Sequence, residues 1–255
     1  FRCLLSYTKG NGVTLYTRHQ TPCTIQFPDL QIDLPVDSLI LDGEMVVLVD
    51  GKPCFESVMK RFLTKKDQTI DNLSKQLPSN YGAFDIIYLN GQPLNNLPLT
   101  NRLDILNGIE LPSPIFICPT HDNGSELFLA VKNMGLEGVV SKKKDSRWIP
   151  NTRSKAWIKS KAWRTETISI TAIRKNEFDC CMQLDGKYVG TMELMPSKDR
   201  AKLYTLAERV KLKEDKKWIY LSPGIQCDVK FHCYTSSGIM RDPSFVGFEY
   251  YGMSL

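Results

Sequence analysis

The segment SLILDGEMVVLVD, residues 38–50, can be read in two ways, and the choice sets the fold. Asp-Gly between apolar runs is a strong hairpin signal, so Asp42-Gly43 could turn the chain back on itself. Asp50-Gly51, eight residues later, supplies a better turn, and two turns so close would leave a very short arm. The segment is therefore expected to be one strand with Asp42 and Glu44 on the same face, since alternate side chains of a strand share a face. A carboxylate held in so apolar a strand needs a partner, such as a cation, a metal or a hydroxyl pair.

Strand patterns also run through GVTLYTRH (12–19) and YGAFDIIYLNG (81–91). Phe55, Val58, Met59 and Phe62 have helical spacing, Thr100 is placed to cap NRLDIL, and SELFLAVKNMG (125–135) predicts a helix stopped by Gly135. LEGVVSKKK, with Glu137 before Gly138, predicts a strand in which the glycine could let a ligand approach the backbone. Beyond Trp163, ETISITAIRK and DCCMQLDGKYVGTMEL predict a meander with a turn at Asp185-Gly186. Ser197 is placed to cap a helix bearing Leu203, Leu206, Ala207 and Val210 on one face, and IQCDVKFHCYT and SFVGFEYY predict closing strands. Strands, one helix, then strands within about 90 residues is compatible with a five-stranded barrel of the OB type. No internal repeat or low-complexity linker interrupts the chain, so the domains are expected to be 1–163 and 164–255.

A chain of 255 residues with 42% hydrophobic and 24% charged residues can build one or two cores. No apolar run of about 18 residues is present, so no transmembrane helix is expected, and FRCLLSYTKG has no charged leader before an apolar segment, so no signal peptide is expected from it. The eight cysteines include an adjacent pair and no C-x-x-C, so reduced thiols in a cytoplasmic protein are expected and a structural zinc is not.

The charge distribution is more informative than its sum. Ser141 to Arg164 holds nine lysines or arginines and one acid, a local +8 against a whole-chain +5, which leaves the other residues at −3. The same 24 residues carry Trp148, Trp157 and Trp163. Cations neutralise phosphates and aromatic rings meet base faces, so the window suits a polyanion with stackable bases. At its centre RSKAWIKSKAW (153–163) predicts a strand with Lys155, Trp157, Lys159, Lys161 and Trp163 on one face and Ala156, Ile158, Ser160 and Ala162 packed beneath. A lysine-protected edge strand would leave the same pattern.

Taken in order, YTRHQ, LDGE, AFDIIYLNG, EGVVSK and WIKSK resemble successive motifs of the ATP-dependent DNA ligases, within the covalent nucleotidyltransferases. RSKAWIKSKAW and the closing RDPSFVGFEYY most resemble the ligase domain of bacterial non-homologous end-joining ligases. The resemblance implies an α+β nucleotidyltransferase (adenylation) domain of antiparallel sheets with flanking helices, followed by an OB-fold β-barrel. It implies ATP as the source of an AMP intermediate, Mg²⁺ or Mn²⁺, nicked or broken double-stranded DNA as substrate, and a Ku-like end-binding partner. By the same likeness Arg2 and Arg18 contact nucleotide or nick ends, Glu44 holds the ribose hydroxyls, and Phe84 stacks on adenine. Glu137, with Glu44, would sit by the divalent metal, and Lys159 and Lys161 would reach the α-phosphate. Arg153 would contact a phosphate, and Arg2, Arg147, Arg153 and Arg241 would contact DNA. Such a reaction asks for positioning and charge neutralisation around one phosphate.

Two features depart from the family pattern. Phe1-Arg2 matches the close of the K-x-D-G-x-R motif whose lysine carries AMP, so that lysine is expected upstream of Phe1. RDPSFVGFEYY carries Arg241 but has Glu249 and two tyrosines where the sixth motif usually has basic residues, which bears on the step with ATP. An RNA ligase or capping enzyme is a second reading, with Glu137 before Gly138 favouring a ligase. A non-catalytic nucleotide- or DNA-binding module is a third.

Overall fold

The structure, a computed structural model, describes residues 1–150, 152 and 154–249. They form two compact units, Phe1–Asp122 with Ser141–Ile158, and Asn123–Val140 with Lys159–Leu255.

In the first unit, β1 (Arg2–Thr8), β2 (Gly12–Thr17), β3 (Ser38–Val49), β4 (Lys52–Pro53), β5 (Ser79–Leu89), β6 (Gln92–Pro93) and β7 (Ile115–Ile117) make one sheet. Its order is β2-β1-β3-β5-β6, with β4 on β3 and β7 on β5. Residues 38–49 are one unbroken strand, and Asp42-Gly43 is no turn. The turn comes at Asp50-Gly51, where both residues have positive φ and Val49 pairs with Lys52, as a two-residue hairpin requires. The pairing of β5 with β7 is parallel, an exception to the antiparallel pattern.

Odd-numbered residues of β3 (Leu39, Leu41, Met45, Val47) enter a core with Cys3, Leu5 and Tyr7 of β1 and Tyr81, Ala83 and Ile86. Gly43 takes part in this face because a Cβ there would overlap the Tyr81 ring. That ring's hydroxyl donates to the carbonyls of Cys3 (2.8 Å) and Leu41 (3.1 Å), and burial pushes its pKa up. The helices α1 (Phe55–Leu63), α2 (Asp67–Gln76) and α3 (Leu99–Asn107) flank the sheet. Helix α3 begins after Pro98, so Thr100 lies inside it, and its N–H donates to the Lys144 carbonyl at 3.1 Å. Proline fixes an extended backbone just before the first turn, which leaves the threonine no capping role.

The second unit opens with α4 (Gly124–Asn133), capped by Asn123, whose side chain accepts from Glu126 N–H. Gly135, at φ 69°, follows its end as expected. β8 (Gly138–Lys142) pairs with β9 (Trp157–Lys161), and the division between the units falls within both strands. β9 is shorter than the segment 153–163 expected, and its faces do not alternate cleanly, since Ile158 is 58% exposed.

β10 (Arg164–Arg174), β11 (Cys180–Leu184), β12 (Lys187–Met192), β13 (Lys211–Glu214), β14 (Trp218–Phe231) and β15 (Ser244–Phe248) make the second sheet, with α5 (Ser197–Val210) across it. Its order is β12-β11-β10-β14-β13, with β15 on β14. Phe245 N–H donates to Leu194 O beyond β12 at 3.0 Å, so β15 returns to the first edge and the barrel closes. β13 stays outside this ring, paired to β14 alone. The core combines Ile168, Ile170, Met182, Met192, Leu203, Cys227 and Phe231. β13 was not expected, and Ser197 is the first residue of α5 rather than its cap, with Pro196 before it. All eight cysteines are free thiols, and among the described residues no helix is long and apolar enough to cross a membrane.

Candidate active site

In the first unit the site is built on the face of the sheet opposite its core. Arg2 lies across from Glu44 in the β1–β3 register, and Leu4 across from Asp42. Asp42 is fully buried. It accepts from Arg2 Nε at 2.9 Å, from Arg2 Nη2, and from Trp148 Nε1 at 2.8 Å. The partner demanded by a carboxylate in an apolar strand is thus a guanidinium with an indole N–H. The hydrogen bond to Asp42 raises the pKa of Arg2 against the opposing effect of its burial.

The β3–β5 register shifts between Asp42↔Asp85 and Gly43↔Ala83, so Phe84 is the extra residue of a bulge. Bulges re-aim side chains and break the ladder locally. The Phe84 ring meets Trp157 edge-on at 5.9 Å. Lys142 Nζ lies 4.4 Å from the centre of the Phe84 ring and 4.2 Å from that of Trp157, while Arg2 Cζ lies 5.8 Å and 5.4 Å from the same two rings. Lys142 also donates to the Phe84 carbonyl at 2.8 Å. Burial pushes its pKa down to about 8, against the pull of Asp85 and Asp42.

Behind this face Asp85 and Arg102, both fully buried, form a bidentate pair with both contacts at 2.8 Å. Arg102 Nη1 also donates to the carbonyls of Leu97 and Ser146 (2.9 Å to the latter). Trp148 N–H reaches Asn95 O at 2.9 Å. These bonds fix the loop that carries Trp148 to Asp42.

In the second unit Ala162 N–H donates to Glu137 O at 2.9 Å, which sets Glu137 beside the end of β9 that carries Lys159 and Lys161. Gly138 has φ 143°, and a Cβ there would overlap the Ser160 carbonyl. It admits the neighbouring strand, not a ligand as expected. Glu137 and Lys159 are exposed, and Lys161 is half-buried.

The expected residues therefore fall into two groups. Arg2, Glu44 and Phe84 share the first unit's face, and Glu137, Lys159 and Lys161 share the second unit's β8–β9 end. Arg18 lies beyond β2, exposed, with Nε 3.2 Å from His19 Nε2. Arg147 is exposed beside Trp148, and Arg241 is half-buried before β15. Arg153 lies outside the described residues. Asp42 is singled out by its place in an apolar strand, but Lys142, Trp148 and the Asp85–Arg102 pair are not foreseen, although Lys142 closes EGVVSK and Trp148 lies in the basic window.

No group of three or more His, Cys, Asp or Glu clusters among the described residues, so no all-protein cage for a metal is present there. A Mg²⁺-type ion draws most ligands from phosphates and water and needs only one or two carboxylates. Taken each in its own unit, the Glu44 side chain is 46% exposed and Glu137 is exposed, so either carboxylate is open to such a contact.

A model of the ATP dependent DNA ligase domain matches residues 1–161. The chain is 37% identical over 240 residues to the SPbeta prophage-derived DNA ligase-like protein LigB of Bacillus subtilis (strain 168), covering 92% of this chain and 84% of that protein. It is 26% identical over 281 residues to the bifunctional non-homologous end joining protein LigD of the same strain, covering 98% of this chain and 45% of that one. The ligase domain of M. tuberculosis LigD has a similar fold, with a TM-score of 0.56 at 24% identity, covering 97% of this chain and 85% of that domain.

Proposed function

The chain belongs to the ATP-dependent DNA ligases, and on that premise we propose that it seals 5′-phosphate/3′-hydroxyl breaks in duplex DNA during repair. ATP is its nucleotide. The reading gives residues 1–163 the adenylate chemistry and 164–255 a barrel that engages DNA. Broken ends in the cytoplasm or nucleoid would be the site of action, with a Ku-like protein as the end-binding partner.

Phe84 stacks on adenine, and Glu44 takes the ribose hydroxyls. Arg2, tied to buried Asp42, keeps its guanidinium at the nucleotide and the nick. Lys159 and Lys161 neutralise the α-phosphate oxygens, with Arg153 as a further phosphate contact. Glu137 and Glu44 would hold Mg²⁺ or Mn²⁺, which when bound offsets phosphate charge. Arg18, Arg147 and Arg241 meet DNA or nucleotide phosphates. In the sealing step the 3′-oxygen attacks the adenylylated 5′-phosphate and a new P–O bond forms. The P–O bond to AMP breaks, AMP departs, and the hydroxyl proton passes to solvent. The protein supplies alignment and charge.

The observation that carries this reading is the bulge at Phe84, whose ring lies beside the Arg2 and Lys142 cations, with Arg2 opposite Glu44 in the β1–β3 register. The test is sealing of a pre-adenylylated nick by the full-length protein and by Lys159→Ala. The wild type should seal and the variant should not. Equal rates would overturn the proposed phosphate contacts.

A further inference from the structure

His232 closes a small cluster in the second unit, at the start of the segment after β14. It is 4% exposed. Its ring stacks on Trp163 with centroids 4.3 Å apart and planes 18° apart. Lys161 Nζ lies 2.8 Å from His232 Nε2 and 4.9 Å from the Trp163 ring centre, and Lys230 Nζ lies 5.4 Å from that ring. Asp242 Oδ2 is 3.7 Å from the same imidazole nitrogen, and the backbone N–H of His232 donates to Arg241 O at 3.0 Å.

An ammonium has only donors. Nε2 must therefore accept from Lys161, which leaves the ring proton on Nδ1. Nδ1 is buried with no hydrogen-bond partner among the described residues. A buried polar atom left unpaired costs about 1–3 kcal/mol, so an apolar side chain would serve packing better. Burial and the neighbouring Lys161 both lower the His232 pKa, which keeps the ring in the neutral form that can accept.

We propose that His232 is a positioning residue for the sealing reaction, accepting the Lys161 ammonium at Nε2 and holding it in one orientation with Trp163 as a backstop. The inference rests on the proposed role of Lys161 at the α-phosphate and adds the contact that aims it. A lysine side chain has four rotatable bonds and loses much rotamer freedom when it acts at a fixed point. A prearranged acceptor removes part of that loss before the DNA arrives.

The test uses the full-length protein and single-turnover sealing of a pre-adenylylated nick. His232→Leu should lower the maximal rate by about ten- to a hundredfold, the range for a misplaced catalytic group, with the half-saturating DNA concentration little changed. His232→Gln, whose side-chain oxygen can accept, should recover most of that rate. A Leu variant as fast as the wild type, or a Gln variant as slow as Leu, would overturn the proposal. Imidazole nitrogen NMR of the unsubstituted protein gives a readout independent of folding defects: the proton should sit on Nδ1, and a proton on Nε2 overturns the contact. Normal sealing by Lys161→Ala would instead overturn the phosphate role of Lys161, and with it the catalytic purpose of the contact.

Discussion

Trp148 donates its indole N–H to Asp42 Oδ2 at 2.8 Å across 106 positions of sequence. The bond joins the basic, tryptophan-rich window to the strand that opens the site. Asp42 is shut off from solvent, and its other side-chain hydrogen bonds among the described residues come from Arg2. Trp148→Phe keeps the ring and removes one donor to a buried carboxylate. The expected loss is about 1.5–3 kcal/mol, the value of a hydrogen bond to a charged group, read by urea unfolding. A loss below the error of that measurement would show that the bond does not hold the loop.

Arg102 is the only cation bonded to Asp85 among the described hydrogen bonds and ion pairs. Arg102→Met leaves a buried carboxylate uncompensated and should cost about 3–5 kcal/mol. Adding Asp85→Leu should return much of it, because a pair replaced by apolar groups no longer carries desolvated charge. Denaturant unfolding of the single and double variants checks both directions.

Lys142 sits between two aromatic rings with its pKa pushed down to about 8 from 10.5. The unfolded chain then binds more protons than the folded one between about pH 8 and 10.5, so stability should rise with pH through that window and stay flat below it. Cation–π contact with both rings favours the charged form and reduces the effect to about 2 kcal/mol. Lys142→Met should lose this component. Comparing the two proteins' unfolding at pH 7 and pH 10 isolates it from the tyrosines and cysteines; parallel curves would count against the shift.

Gly138→Ala should destabilise the β8–β9 pair, because the added Cβ overlaps the Ser160 carbonyl and the backbone lies at φ 143°. Both faults are backbone faults and no side-chain rotation relieves them. The expected result is a lower Tm and faster amide hydrogen exchange at Ala162, whose N–H bonds Glu137 O. Unchanged exchange there would show that the strands pair without the glycine.

Much of this arrangement is legible in the sequence. The unbroken strand 38–49 follows from apolar alternation and the competing turn at Asp50-Gly51, and Asp185-Gly186 is read on the same chemistry. Arg2, Glu44 and Phe84 come from motif order, and they do share one face. Local rules failed where proline overrode them: Thr100 and Ser197 have capping chemistry, but Pro98 and Pro196 start the helices first. The bonds of Trp148 to Asp42, Lys142 to Phe84 and Arg102 to Ser146 were invisible because they span 106, 58 and 44 residues and leave no periodic trace. Ile158 points to solvent although alternation in 153–163 assigned it to packing.

The bulge in β5 gives position 84 two independent chemical handles. Its ring belongs to the side chain and can be exchanged for another amino acid, whereas the oxygen that receives Lys142 belongs to the backbone and survives any such exchange. The side chain at this spot can therefore be exchanged without removing the backbone oxygen that receives the Lys142 ammonium.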